Sequence, residues 1–316
     1  SKAISGATDI SEKTRERVLA CAGEMGYQVK AKHVSYTKSI VVFIYGSIHY
    51  DKVDQFGYEI ILGLQAAAAE HGIGVNITAI SNAELKSGNY YSIVLGGNCE
   101  GAVFLGFKPH HVFIEHIRSL NIPLVILDNN VDYQLAARVG CDSAEGIRQM
   151  VPYLWMRGHD RIGFLGGEED SIVTQERYQA YSDALKELGL EEDKDAVRYG
   201  HFSAKGTRKR ILPIAQTGVT AVVCISDLLA CSAVQELEKA GYVVPTGYDN
   251  LPVSEYSQPR ITTMYQNRIH IGKTAFVMLQ QMNSGISIEA VSLRPELIER
   301  ESVKLIAKRI LPEEDK

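Results

Sequence analysis

The chain has 316 residues, room for about two domains at the usual 100–200 residues each. With 45% apolar and 22% charged residues, 27 Gly and 9 Pro, it is neither disordered nor collagen-like, and no apolar run reaches the roughly 18 residues that span a bilayer. The net charge of −5 excludes a protein basic throughout, yet residues 1–38 hold seven Lys or Arg against four acids, a surplus of three that leaves −8 on the remainder.

A basic head on an acidic body suggests an anion-binding segment joined to a part with another task. Residues 11–26 are predicted as a helix, with Ser11 as N-cap, Val18, Leu19, Ala22 and Met25 as the apolar stripe, and Gly26 as the stop. Residues 27–38 are polar, lack a period and read as a linker. From Ser39 the texture changes. The run IVVFIY (40–45) is apolar throughout, as a parallel strand buried on both faces would be. Residues 58–72 place Ile60, Ile61, Leu64 and Ala68 on one helical face, and residues 74–80 alternate as a strand. The strand runs 101–106 and 122–128 continue the beat, with a helix at 111–120 between them. RIGFLGG (161–167) opens a second series, followed by a helix at 175–189, the strand 221–226 and a helix at 228–241. Strand–helix alternation with short connections implies right-handed βαβ units and parallel sheets. Two series fit two doubly wound lobes, whose ligand loops follow the strand ends at 45, 105, 127, 165, 225 and 248.

Catalytic signatures fail one by one. Gly272-Lys273-Thr274 ends like a phosphate loop, but Asn267 stands where its first glycine is required, and the segment reads as helix interior. Gly72 and Gly74 are followed by Ile77 in the third position of a dinucleotide fingerprint. No G-x-S-x-G or H-E-x-x-H occurs; adjacent His110 and His111 would point to different sides of a helix, and Glu168, Glu169 and Asp170 read as a solvated loop. Nothing demands an enzyme, a metal or a cofactor. The opening residues lack the apolar core of a signal peptide, and five scattered cysteines (Cys21, Cys99, Cys141, Cys224, Cys231) read as free thiols. The expected location is the cytoplasm.

SKAISGATDISEKTRERVLACAGEMGY (1–27) resembles the latter part of the DNA-binding head of the lactose/galactose repressor family of bacterial regulators, with matched spacing through Thr14, Arg15, Val18 and Gly26-Tyr27. GCDSAEG (140–146), RGHDRIGFLGG (157–167), ERYQAYSDAL (176–185), ISDLLACSAVQELEKAG (225–241), TGYDN (246–250) and RPELIERES (294–302) look like family signatures in family order. The fold so implied is α/β. It consists of two doubly wound parallel-sheet lobes, like those of a type I periplasmic binding protein, behind a partial helical DNA-binding head. Its divisions are a partial helix-turn-helix head at 1–27 and a hinge at 28–38. An N-terminal lobe follows at 39–160 plus 266–291, and a C-terminal lobe at 161–265 plus 292–316. The first helix of the head has no counterpart, which implies a truncated head. Residues 244–247 fall short of the strand that usually follows the proline.

By resemblance the chain is a repressor-like regulator, a homodimer on double-stranded operator DNA, set by a small sugar-like effector and with no membrane partner. Ser1, Lys2, Ser5, Arg15, Tyr27 and Lys30 would meet DNA, and Val34 is the nearest apolar candidate for the family's minor-groove wedge. A sugar offers hydroxyls to arginine forks and carboxylates, and a C–H face to an aromatic ring. The matching positions are Asp54 and Phe56, Asp128, Arg177, Phe202, Ser226 and Asp227, and Tyr248 with Asp249. Ser226 stands where the family usually has Asn. Two other readings compete. A solute-binding receptor for sugar uptake predicts an export signal and no basic head. A sugar-active enzyme predicts paired carboxylates in the cleft.

Overall fold

The computed structural model describes residues 11, 13, 14, 17, 38–45, 51, 52, 55–81, 94, 98–107, 111–118, 121–240 and 243–307. Its contacts divide the chain into Ser1–Tyr36 and Thr37–Lys316. In the first unit, Ser11 Oγ accepts a hydrogen bond from the Thr14 backbone N–H at 3.3 Å, the N-cap geometry expected of that serine. Ser1, Lys2, Ser5, Arg15, Tyr27, Lys30 and Val34 lie outside the described residues.

The second unit holds two six-stranded sheets. In the first, β1 (Lys38–Tyr45), β2 (Ile73–Ile80), β3 (Cys99–Leu105), β4 (Leu124–Leu127), β5 (Ala136–Cys141) and β11 (Ala290–Leu293) run in the order β11-β5-β4-β3-β1-β2, every pair parallel. In the second, β6 (Ile162–Gly166), β7 (Val197–Tyr199), β8 (Ala221–Cys224), β9 (Val244–Asp249), β10 (Thr263–Tyr265) and β12 (Glu296–Ile298) run β12-β10-β9-β8-β6-β7. Counted within each sheet the order is the same. Only the last strand differs: β12 is antiparallel to β10.

Central β1 is buried on both faces from Ser39 to Ile44, which is why its sequence has no polar alternation. Helix α1 (Phe56–Glu70) turns Ile60, Ile61, Leu64 and Ala68 inward, onto the same core as Ile271, Ala275 and Leu279 of a helix at Arg268–Asn283. The opposite face of the first sheet packs Phe43 and Phe104 against Phe113 of α2 (Val112–Arg118), with ring centroids 4.9–5.8 Å apart. The second sheet is flanked by α3 (Ser143–Met156), α4 (Ile172–Glu187), α5 (Ala204–Gln216) and α6 (Asp227–Ala240). Short α7 (Pro252–Tyr256) and α8 (Arg268–Asn283) complete the set.

Two expectations need correction. The division at residue 160 puts α3 in the first lobe, but Ile147, Met150, Val151 and Leu154 are buried in the core of the second sheet. The chain therefore changes sheets between β5 and α3, again between β10 and α8, and again between β11 and β12. The segment expected to fall short of a strand is itself strand β9, seated between β8 and β10, with Pro245 opposite Val222. Proline's missing N–H is tolerated there, while its carbonyl accepts from Ser302 Oγ at 2.8 Å. Gly272-Lys273-Thr274 lies inside α8, as expected; a Cβ on Gly272 would stand 1.9 Å from the Ile60 carbonyl of α1. No helix of the described residues is long and apolar enough to cross a membrane.

Candidate functional site

The carboxyl ends of the two sheets supply a polar seam centred on Arg177. Its position on α4 follows from the helix pattern: Ala180, Tyr181 and Ala184 face the core, and Arg177 lies one turn earlier on that face. It is 3% exposed. Nε donates to Ser143 Oγ at 3.3 Å, Nη1 donates to the Ile225 carbonyl, and the guanidinium lies 3.6 Å from the centre of the Tyr248 ring. One side chain thus gathers the start of α3, the end of β8 and strand β9. A desolvated stack of this kind contributes about 2 kcal/mol.

Two aspartates flank it. Asp128 follows β4 with φ +50°, half-buried, and its Oδ1 is enclosed with no hydrogen-bond partner. Burial pushes its carboxyl up to about 6, an effect that nearby Arg177 and Arg138 only partly offset. Asp249 ends β9 with φ +111°, 6% exposed, and its Oδ1 accepts from Gln266 Nε2 at 2.7 Å. Burial also raises Asp249, against the pull of Arg177 and Arg268.

Sequence reasoning missed four members of the seam: Arg138, Glu176, Arg268 and Gln266. Arg138 on β5 closes a two-pronged ion pair on Glu176 of α4, at 2.6 and 2.8 Å, and so joins the two lobes. Arg268, 2% exposed at the start of α8, donates to the Asp249 carbonyl and pairs with Glu59 of α1 at 2.7 Å. Gln266 is 1% exposed and leaves its Oε1 without a partner. The available signal was position: Gln266 and Arg268 follow a strand end, and Glu176 adjoins a residue already singled out.

Other expected residues take different places. Asp227 is wholly buried; its Oδ1 accepts from Thr263 Oγ1 and its Oδ2 from the Leu251 N–H, each at 2.6 Å. Both oxygens are committed to holding β10 and the turn after β9, so the assignment of Asp227 to effector contact is corrected to a structural role. Burial and the neighbouring Asp249 raise its pKa. Ser226 accepts from the Leu229 N–H at 3.4 Å and caps α6. Tyr248 is fully buried beneath Arg177, its hydroxyl 3.5 Å from the Asp142 carbonyl. Phe202 stays 42% exposed beside Gly167, next to the His201–Glu168 pair at 2.9 Å. Phe56 opens α1 and packs on the first lobe's core. Asp54 lies outside the described residues. His159 is buried, with Nε2 donating to the Lys304 carbonyl and Nδ1 facing Thr220 Oγ1, which makes Gly158-His159 a helix stop and strand entry.

A cavity of about 500 Å³ opens beside β4 and β5, walled by Asn130, Tyr133, Arg138 and Glu289 among others. None of the effector residues named from the sequence lines it. Among the described residues, no group of three His, Cys, Asp or Glu could hold a metal ion.

Residues 151–303 match the model of a periplasmic binding protein-like domain. The chain is 29% identical over 320 residues to the HTH-type transcriptional repressor CytR of Escherichia coli K12, covering 97% of this chain and 92% of that protein. It is 26% identical over 308 residues to the HTH-type transcriptional repressor PurR of Vibrio atlanticus, covering 94% and 92%. Among solved structures, the transcriptional regulator CelR in complex with cellobiose superposes with a TM-score of 0.76 at 25% identity, over 95% of this chain and 94% of that one. The lac repressor dimer bound to operator and the anti-inducer ONPF shares the fold, with a TM-score of 0.72 at 20% identity over 96% and 94%.

Proposed function

We infer function from one premise: the chain belongs to the lactose/galactose repressor family of transcriptional regulators. On that premise its body binds a small, sugar-like effector at the seam between the lobes, and its N-terminal segment binds operator DNA. The observation that carries the effector site is buried Arg177, stacked on Tyr248 and flanked by an aspartate from each sheet. CelR, a relative of similar architecture, is known with cellobiose, which supports a carbohydrate as the effector class. Asp128 and Asp249 would accept ligand hydroxyls, and Arg177 would hold the three segments that frame them.

The effector works by population shift: whichever lobe arrangement it binds better becomes the dominant one. In a homodimer, that arrangement sets the separation of two DNA-binding segments and hence their register on two half-sites. Lys2 and Arg15 would contribute phosphate contacts, so operator affinity should fall steeply with salt. No catalytic step is assigned to the seam.

The test has two arms. A thermal-shift screen of the protein against sugars, sugar phosphates and nucleosides should yield a stabilising ligand. That ligand should change operator affinity measured by fluorescence anisotropy. Sedimentation should show a dimer at micromolar concentration. Binding of a sugar with no specific operator binding by any length of the protein would favour the second reading, a solute receptor, which the periplasmic binding protein-like match over 151–303 supports.

A further inference from the structure

The arginines of the seam are already engaged, and that limits what an effector can be. Arg138 has its two-pronged end closed on Glu176. Arg268 directs its terminal nitrogens at Glu59 and at the Asp249 and Asn250 carbonyls. Arg177 spends Nε on Ser143 and Nη1 on Ile225, and Tyr248 covers one face of its guanidinium, so that Nη2 is left as a single donor and not as a two-pronged fork. The nitrogens with no partner at Arg138 and Arg268 are single Nε atoms, set behind forks whose charge Glu176 and Glu59 already balance. Against these stand two enclosed acceptors, Asp128 Oδ1 and Gln266 Oε1, neither with a partner. A second carboxylate, Asp249, lies near the Arg177 guanidinium.

Phosphate and carboxylate ligands need an open fork or several convergent donors, and a buried anion without them is expensive. Sugar and nucleoside hydroxyls need the reverse, acceptors that lack a hydrogen bond. We propose that this seam selects an uncharged, hydroxyl-rich effector and rejects the phosphorylated form of the same molecule. The proposal rests on the effector site described above and adds to it the charge of the ligand. Glu176 is then a specificity-determining residue that never touches the effector: by occupying the Arg138 fork, it keeps that fork from an anion.

The experiment compares matched pairs by isothermal titration calorimetry: cellobiose, glucose, ribose and adenosine, each against its phosphate ester. Inorganic phosphate serves as an anion probe at constant ionic strength. The expected result is binding by at least one uncharged member, with its ester weaker by roughly a hundredfold or more, and no heat from inorganic phosphate. Glu176→Ala should open the Arg138 fork and narrow the gap between the ester and the parent at least tenfold. An ester that binds wild-type protein as tightly as its parent, or inorganic phosphate that competes with a bound sugar, overturns the proposal while leaving the effector site in place. Silence from every pair removes the effector site itself. Should Glu176→Ala fail to fold, the wild-type pairs decide alone.

Discussion

The two lobes finish topologically equivalent strands, β4 and β9, on the same Asp-Asn step, and each aspartate adopts a positive φ. Asp249 is pinned by Gln266 and its backbone carbonyl by Arg268, while the Asn250 side chain is held by Arg300, whose Nη2 donates to Asn250 Oδ1 at 2.7 Å. Asp128 keeps an unpartnered oxygen, while its neighbour Asn129 is tied to the Phe107 carbonyl at 2.7 Å. The same local solution serves two ends. In the second lobe one carboxylate oxygen is tied to the frame, and in the first an enclosed oxygen is left without a partner. A left-handed aspartate costs about 1–3 kcal/mol, and in both lobes the surrounding hydrogen bonds hold it in place.

The comparison can be broken in several ways. Arg177→Ala strikes both halves at once, because it removes the cation between two buried carboxyls and the cover of Tyr248. It should cost about 3 kcal/mol in urea unfolding and abolish effector binding by calorimetry. A milder mutation separates the lobes. A Cβ on Gly247 would stand 2.1 Å from Asp227 Oδ1, and one on Gly140 would stand 2.0 Å from Asp128 Oδ1. The Asp227 oxygen is held by Thr263, so Gly247→Ala should destabilise by about 2 kcal/mol. Asp128 Oδ1 has no hydrogen bond to break, so Gly140→Ala should cost less than about 1 kcal/mol while weakening effector binding. Equal losses for the two variants would contradict the asymmetry.

Acidity sharpens the same point. Folding raises the Asp128 carboxyl from its ordinary 3.8 to about 6, so the cost of burying its charge is absent below 3.8, grows towards 6 and is complete above it. Asp128→Asn should therefore gain about 1–2 kcal/mol at pH 8 and nothing at pH 4, by denaturation at the two values. Its effector affinity should fall. The smallest effect belongs to the link between lobes: a double-mutant cycle on Arg138 and Glu176, both part-buried, should give a coupling of about 1 kcal/mol.

Much of this was legible in the chain. The apolar run at 40–45 read as a strand covered on both faces, and the repeated strand–helix beat as parallel sheets, which holds for every pair but β10–β12. Arg177 stood out because the stretch 176–185 that holds it resembles a family signature. Asp227 stood out for a similar reason and was misread, since its sequence neighbours do not reveal that Thr263 and Leu251 fill its oxygens. The lobe boundary at 160 was misplaced for a related reason: an amphipathic helix such as α3 announces that it has a buried face, but not which sheet it lies on.

What the amino-acid order determined by itself is local: where strands and helices form, which faces are apolar, and which residues stand at strand ends where ligands meet α/β sheets. Which arginine closes on which acid was decided only in three dimensions. Arg138 and Glu176 are separated by 38 positions, and Arg268 and Glu59 by far more. No periodicity records such a pairing, because it exists only once crossing strands have carried both partners to the same seam.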